Sequence, residues 1–255
     1  MTTYAVKEIF PTVQGEGRWA GRRAVFLRLA GCNIWSGRPE DRVKGKAGCA
    51  RWCDTDFVGG QKMRAEAILS ELGEAWGDEP HGRTSDDTRM VVITGGEPTL
   101  QLDEALVRAL HLDGWYVAVE TNGTNDVPAL DLCDHVCVSP KAGSKLARMT
   151  GGELKVVLPG HVSGAPLEHR WKAGEVREIG RFGKWGALFV QPQDPTREAA
   201  TGQTYLHAIR QGAAPQEVSV AGLLYDSAVR ECLDFIRANP GWRLSVQTHK
   251  LIGVP

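Results

Sequence analysis

The chain carries almost no net charge, with 30 lysines and arginines against 31 aspartates and glutamates in 255 residues. It therefore offers no basic field to hold a phosphate backbone, and nucleic acid is not expected as a partner. It also lacks any apolar run of membrane-spanning length, and its opening, MTTYAVKEIF, lacks the apolar stretch of a signal peptide. No membrane association is expected, and a cytoplasmic location is. There is no internal repeat, no low-complexity segment and no linker composition. The sequence reads as a single domain over 1–255, with loop insertions at about 36–48, 160–186 and 194–217. In a reducing compartment its six cysteines do not suggest a disulfide framework, which turns attention to metal or redox chemistry.

What is present is a recurring unit: a short apolar run, a polar motif, then often a helix-like stretch. Strands are expected at Ala24–Leu29, Met90–Ile93, Trp115–Val119, His135–Val138, Leu154–Leu158, Ala187–Val190 and Arg243–Val246. Helical periodicity marks Arg64–Trp76, Leu102–His111 and Ala228–Ala238; Leu102, Leu106 and Leu110 recur at i, i+4 and i+8. Strands alternating with helices predict an α/β fold with a parallel sheet and helices outside, open or closed as a barrel. Ser36–Gly48, Asp78–Arg89, Gly160–Gly186 and Asp194–Glu217 read as loops.

The unusual residues fall in a pattern. Gly31-Cys32 follows the first expected strand, Thr94-Gly95-Gly96-Glu97-Pro98 the second, Glu120-Thr121-Asn122-Gly123 the third and Ser139-Pro140-Lys141 the fourth. Gln191-Pro192-Gln193-Asp194 and Gln247-Thr248-His249-Lys250 follow two of the last three. The carboxyl ends of parallel strands share one rim, where ligands bind in barrels and open sheets alike. Strand termination explains the glycines, but not the repeated Glu, Lys, Gln, Asp and His.

Cys32, Cys49 and Cys53 flank one polar loop, and thiolates bind zinc or an iron–sulfur cluster. A structural zinc site closes with a fourth Cys or His, and no histidine occurs in the first 80 residues. Three thiolates leave one corner of a cubane cluster open for a substrate-like ligand. The count therefore favours a [4Fe–4S] cluster over zinc. Cys133, Cys137 and Cys232 lie in apolar surroundings and read as core packing.

Cys32, Cys49-x-x-x-Cys53 and Thr94-Gly-Gly-Glu-Pro98 resemble the radical S-adenosylmethionine (SAM) superfamily. Within it the chain resembles the 7-carboxy-7-deazaguanine synthase family. The supporting stretches are EIFPTVQGEG at 8–17, FLRLAGCN at 26–33, CDTDF at 53–57, TGGEPTLQ at 94–101, ETNGT at 120–124, VSPKA at 138–142, ELKVV at 153–157, QPQD at 191–194 and WRLSVQTHK at 242–250. The cysteine spacing departs from the superfamily's C-x3-C-x2-C. Here the gaps are 16 and three residues, the first a longer form of an insertion known in the family.

The resemblance implies a modified or partial (β/α) barrel of the radical SAM type. It implies that a 5′-deoxyadenosyl radical converts 6-carboxy-5,6,7,8-tetrahydropterin to 7-carboxy-7-deazaguanine with loss of ammonia, in queuosine and 7-deazapurine biosynthesis. The cofactors so implied are the [4Fe–4S] cluster, S-adenosylmethionine and Mg2+. The partners are a second copy in a homodimer and a flavodoxin-type reductant. Cys32, Cys49 and Cys53 are implied as cluster ligands and Thr55 as a Mg2+ ligand, the alternative for Thr55 being a turn hydroxyl. Val13, Gln14, Gly15, Glu16, Arg28, Thr94, His249 and the terminal Pro255 are implied at the pterin, with Glu16 and Thr55 catalytic. Gly96, Glu97, Glu120, Ser139, Pro140, Lys141, Gln191, Pro192, Gln193 and Asp194 are implied at the cofactor. Arg28 falls in a run expected to be buried, where a charge needs a partner.

Two other classes compete. A radical SAM activase acting on a partner protein needs a peptide groove, which VQGEG and QTHK argue against. A non-enzymatic zinc-stabilised module would stay colourless after iron–sulfur reconstitution.

Overall fold

In the computed structural model, which describes residues 2–51, 53–77, 88–158, 170–194 and 215–254, the first element is a ten-residue strand, β1 (Tyr4–Val13). After it come β2 (Arg23–Leu29), β3 (Gln61–Met63), α1 (Ala65–Trp76), β4 (Met90–Gly95), α2 (Glu104–Leu112), β5 (Tyr116–Thr121) and β6 (His135–Val138). The chain continues through β7 (Thr150–Gly151), β8 (Glu153–Leu158), α3 (Ala173–Phe182), β9 (Lys184–Trp185), β10 (Leu188–Pro192), α4 (Pro215–Ala238), β11 (Arg243–Leu244) and α5 (Thr248–Ile252). All seven expected strands and all three expected helices are found.

Nine strands form one sheet in the order β11-β10-β8-β6-β5-β4-β2-β1-β3. From β2 to β11 every pairing is parallel and the spatial order follows the chain. Each crossover therefore advances in the same direction, as in a barrel, without the reversal of a doubly wound sheet. The sheet ends on β11 and β3, so the barrel is partial. β7 and β9 form a separate two-stranded ribbon. Among the described residues no helix is long and apolar enough to cross a membrane.

Period-2 alternation divides each strand between two faces. Val25, Leu27, Val91, Ile93, Val117 and Val119 point outward and pack with Ile68 and Leu72 of α1 and Leu106 and Leu110 of α2. Leu154, Val156 and Val190 pack with Val176 of α3 and with Cys232 and Phe235 of α4. Removing a buried leucine such as Leu106 should cost about 2–5 kcal/mol. The inner face differs along its length. At the amino ends of the strands Ala24, Met90, Val92 and Ala118 pack against Trp19, Phe26 and Tyr116. Trp19 meets Tyr116 and His135 edge-on, at centroid distances of 5.6 and 5.9 Å, and so plugs that end. Toward the carboxyl ends the same face carries Arg28, Thr94, Glu120, Lys155 and Gln191.

The structure corrects three expectations. β1 lies outside the expected strands, and Pro11 stands within it. Pro11 is tolerated because β3 pairs only with Tyr4–Val6, leaving that side of the strand open. The 160–186 stretch is not a structureless loop: its described part contains α3 and β9. The last loop ends earlier than expected, with α4 starting at Pro215. Residues 78–87, 159–169 and 195–214, on which the rest of these loops fall, lie outside the described residues.

Candidate active site

The carboxyl ends of the strands open onto a cavity of about 500 Å³. At one end lie Cys32, just past β2, and Cys49 and Cys53, all three lining the cavity. Ile34, Trp35, Ala50 and Phe57 pack around them. Gly96, at the end of β4, lies flush against this group. A Cβ there would strike the Gly31 carbonyl and come within 2.6 Å of Cys32 Cβ and 2.8 Å of Phe57 Cγ. The long first gap is ordered by its own contacts. Arg42 stacks over Trp35 and donates to the carbonyls of Ala50 (3.1 Å) and Cys53 (2.8 Å). The wider second gap begins in a 3-10 turn, Gly48–Arg51, which Gly48 N ties to Ala142 O at 2.9 Å. Burial pushes the Cys49 thiol up to about 12 and raises Cys53, with Lys141 opposing in part. A thiolate at these positions needs a cation beside it.

The floor of the cavity is a set of charges. Lys155 on β8 donates to Glu16 Oε2 at 2.5 Å and to Glu120 Oε2 at 3.0 Å. Gln14 Nε2 donates to Glu120 Oε1 at 3.3 Å, and Gln247 Nε2 to Glu16 Oε1 at 2.8 Å. Burial opposes the charge on Glu16, but Lys155 and His249 outweigh it and hold the carboxyl at about 2. Burial likewise disfavours the Lys155 ammonium, yet Cys137, Glu120, Glu16 and Glu153 raise it well above the ordinary lysine value. Burial lowers His249, with Glu16 opposing. Arg28 has the partner its position requires, since Nε donates to Glu8 Oε1 at 2.6 Å across the β1–β2 pair.

The rim is laced together across the strand ends. Asn122 Nδ2 donates to Asn33 Oδ1 (3.0 Å), and Asn33 Nδ2 to Thr124 Oγ1 (2.6 Å). Lys141 donates to Ser139 (2.8 Å), and Ser245 to Gln191 Oε1 (2.7 Å). Lys250 donates to Asp54 (2.5 Å), Asp194 (2.9 Å) and Gln247 Oε1 (3.1 Å), joining the cysteine loop, the end of β10 and the chain's last helix.

Relatives with assigned activities align from end to end. The chain is 40% identical over 260 residues to the 7-carboxy-7-deazaguanine synthase of Burkholderia multivorans, covering 99% of this chain and 100% of that protein. It is 42% identical over 260 residues to the 7-carboxy-7-deazaguanine synthase of Caulobacter vibrioides, with 99% and 100% covered. The chain belongs to the 7-carboxy-7-deazaguanine synthase family. Its fold is similar to the crystal structure of QueE from Escherichia coli, with a TM-score of 0.62 and 22% identity over 96% of this chain and 93% of that one. No protein-family model matches the chain.

Of the residues that the 7-carboxy-7-deazaguanine synthase resemblance marks for the pterin, Val13, Gln14, Glu16, Arg28, Thr94 and His249 line the cavity. Gly15 sits behind them. Its carbonyl accepts from Thr248 N and Oγ1, and the His249 ring occupies the space a side chain would need. Pro255 lies outside the described residues. Of the cofactor set Gly96, Glu120, Ser139, Lys141 and Gln191 line the cavity. Glu97, Pro140, Pro192, Gln193 and Asp194 are not among the lining residues. Glu97 is fully buried, and its carboxylate accepts from Thr99 N, Thr99 Oγ1, Thr121 Oγ1 and Asn122 N, which makes it a brace between β4 and β5. Gln193 Oε1 is buried with no donor among the described residues.

Sequence reasoning missed Lys155, Lys250 and Asp54. A signal existed for the first: in ELKVVL, Glu153 and Lys155 place two charges on one face of an otherwise apolar strand. The donor set fits an iron–sulfur cluster, because three thiols meet at one end of the cavity and no fourth cysteine lines it. Thr55, two residues on, lines the same cavity and offers oxygen, the donor that Mg2+ takes.

Proposed function

We propose that this chain converts 6-carboxy-5,6,7,8-tetrahydropterin to 7-carboxy-7-deazaguanine with loss of ammonia, as a lyase of queuosine and 7-deazapurine biosynthesis. The observation that carries this reading is that three thiols lacking a fourth share one cavity with a charged floor suited to a pterin edge. Cys32, Cys49 and Cys53 would hold the [4Fe–4S] cluster, with Thr55 as an oxygen ligand to Mg2+. When bound, the cluster and S-adenosylmethionine supply a 5′-deoxyadenosyl radical that removes one hydrogen from the substrate.

The chain's own residues bind and orient. Arg28, already fixed by Glu8, presents a guanidinium to the substrate carboxylate. Glu16, kept ionised by Lys155, accepts from the N–H edge of the pterin, and Gln14 supplies an amide beside it. His249, lowered by burial, lines the same site together with Thr94. Gly96 lets the backbone after β4 pack on the cysteine loop beside the cofactor, Ser139, Lys141 and Gln191 take its polar groups, and Glu97 holds the rim in place. The same reading includes one domain, a homodimer, a flavodoxin-type reductant and a cytoplasmic location.

The deciding experiment is anaerobic turnover. The reconstituted protein is given the carboxytetrahydropterin, S-adenosylmethionine, Mg2+ and a reductant, and the products are read by mass. The deazapurine should appear together with 5′-deoxyadenosine. Cleavage of S-adenosylmethionine without any deazapurine would overturn the substrate assignment.

A further inference from the structure

Lys155 closes a ring of hydrogen bonds. Glu16 N donates to Gln14 Oε1 at 3.1 Å, Gln14 Nε2 donates to Glu120 Oε1, and Lys155 joins Glu120 Oε2 to Glu16 Oε2. The ring draws on three separate parts of the chain: the β1–β2 connection, the end of β5, and β8. It also joins the two ligand sets, because Gln14 and Glu16 belong to the pterin side and Glu120 to the cofactor side. Lys155 and both carboxylates line the cavity, and the lysine side chain is only 4% exposed.

Two carboxylates share one ammonium in this floor, and removing it would leave two like charges facing each other with no cation between them. From this we infer that Lys155 is a positioning residue, which fixes Glu16 as an ionised acceptor for the substrate and couples its orientation to the cofactor side through Glu120. The inference rests on the assignment of Glu16 to the pterin. The surroundings of the pair are specific. Cys137 faces it from β6, Glu153 from β8, His249 and Lys250 from α5, and Asp54 from the cysteine loop. Among these Lys155 is the cation in hydrogen-bond contact with both Glu16 and Glu120.

The test uses reconstituted, unreduced enzyme with S-adenosylmethionine bound, and measures the dissociation constant of the carboxytetrahydropterin between pH 7 and 8.5. His249 is already neutral in that window. Wild-type binding should be flat. Lys155→Met should bind at least about tenfold more weakly at pH 7 and recover as pH rises, because burial and the like charge of its neighbour, which together raise a buried carboxyl by roughly 3–5 units, now keep a proton on one of the pair. Adding Glu120→Gln to Lys155→Met removes the like charge, and should restore most of the affinity and the flat profile. Lys155→Arg keeps the charge and should stay flat with pH even if its geometry weakens binding, which covers the case in which the Met variant fails to hold its cluster. A role in fold stability alone would move the melting temperature without the pH profile or the rescue. Wild-type affinity in Lys155→Met, a double variant no better than the single one, or a pH-dependent Lys155→Arg would each overturn the inference. Glu16→Gln separates the two levels. If it leaves pterin binding unchanged, the assignment of Glu16 is what fails; if it weakens binding while Lys155→Met does not, the role of Lys155 alone is lost.

Discussion

Replacing Glu97 with Gln changes one atom in a carboxylate that four donors already saturate. Oε1 accepts from Thr99 N at 3.0 Å, Thr99 Oγ1 at 2.6 Å and Thr121 Oγ1 at 2.7 Å, while Oε2 accepts from Asn122 N at 2.7 Å. Both hydroxyls have their hydrogens committed, because Asn125 Nδ2 donates to Thr99 Oγ1 and Gly123 N to Thr121 Oγ1. A glutamine would keep its carbonyl toward the three donors and turn its NH2 toward Asn122, where donor meets donor. Losing that bond and stranding a buried N–H should cost roughly 2–3 kcal/mol. For a chain of this size the melting temperature should drop by about 5–10 °C. The assay is thermal unfolding of the protein without cluster or ligand, so that binding does not mask the loss, paired with S-adenosylmethionine affinity after reconstitution. Stability should fall far more than affinity. An unchanged melting temperature with lost cofactor binding would refute the brace and return Glu97 to the ligand.

Alanine at Cys32, Cys49 or Cys53 should abolish iron uptake on reconstitution, whereas alanine at Cys133, Cys137 or Cys232 should leave iron content intact; retention of the cluster by Cys49→Ala would break the ligand set. Lys250→Met removes the cation facing Asp54 and Asp194, whose side chains are 29% and 1% exposed, so it should cost about 3–5 kcal/mol and weaken substrate and cofactor binding while iron content holds. Acid should destabilise the apo-protein in two stages. His249, lowered by burial from 6.5, leaves the unfolded chain binding the proton first, so stability declines as pH falls below about 6.5. The stability from Glu16 is fully present above 4.5 and is lost as pH falls toward about 2. A melting temperature higher at pH 5 than at pH 7.5 would contradict the first sign, and one that rises between pH 4.5 and 2.5 would contradict the second.

The rim was legible because each strand is a short apolar run followed at once by its polar motif, and parallel order carries all those ends to one side. Apolar runs bounded by turn residues located β2, β4, β5, β6, β8, β10 and β11. β1 was hidden by Pro11, whose missing N–H matters only on a paired side, and neighbour pairing is not written in the local pattern. α3 was hidden because it buries a single residue, Val176, too little for a helical stripe to stand out among its glycines. Glu97 shows a different limit. The family motif marked the residue, but only coordinates reveal that its carboxylate points at Asn122 and the two threonines and away from the cavity.

The charged floor was the least legible part, and β8 shows why. Leu154, Val156 and Leu158 face outward into the helices, while Glu153 and Lys155 face inward on the alternate positions. Glu153 accepts from Arg18 N at 2.8 Å and Lys155 holds Glu16, so one strand pins the connection that follows β1 at two points. Those partners stand 135 and 139 residues earlier, beyond any local periodicity. The same register that buries the leucines therefore aims the charges. Because a one-residue slip would exchange the two faces, core packing itself fixes where the substrate-facing carboxylate can sit. The apolar half of the strand enforces the geometry of the polar half, which is why two charges can occupy the interior of the barrel with their partners in place.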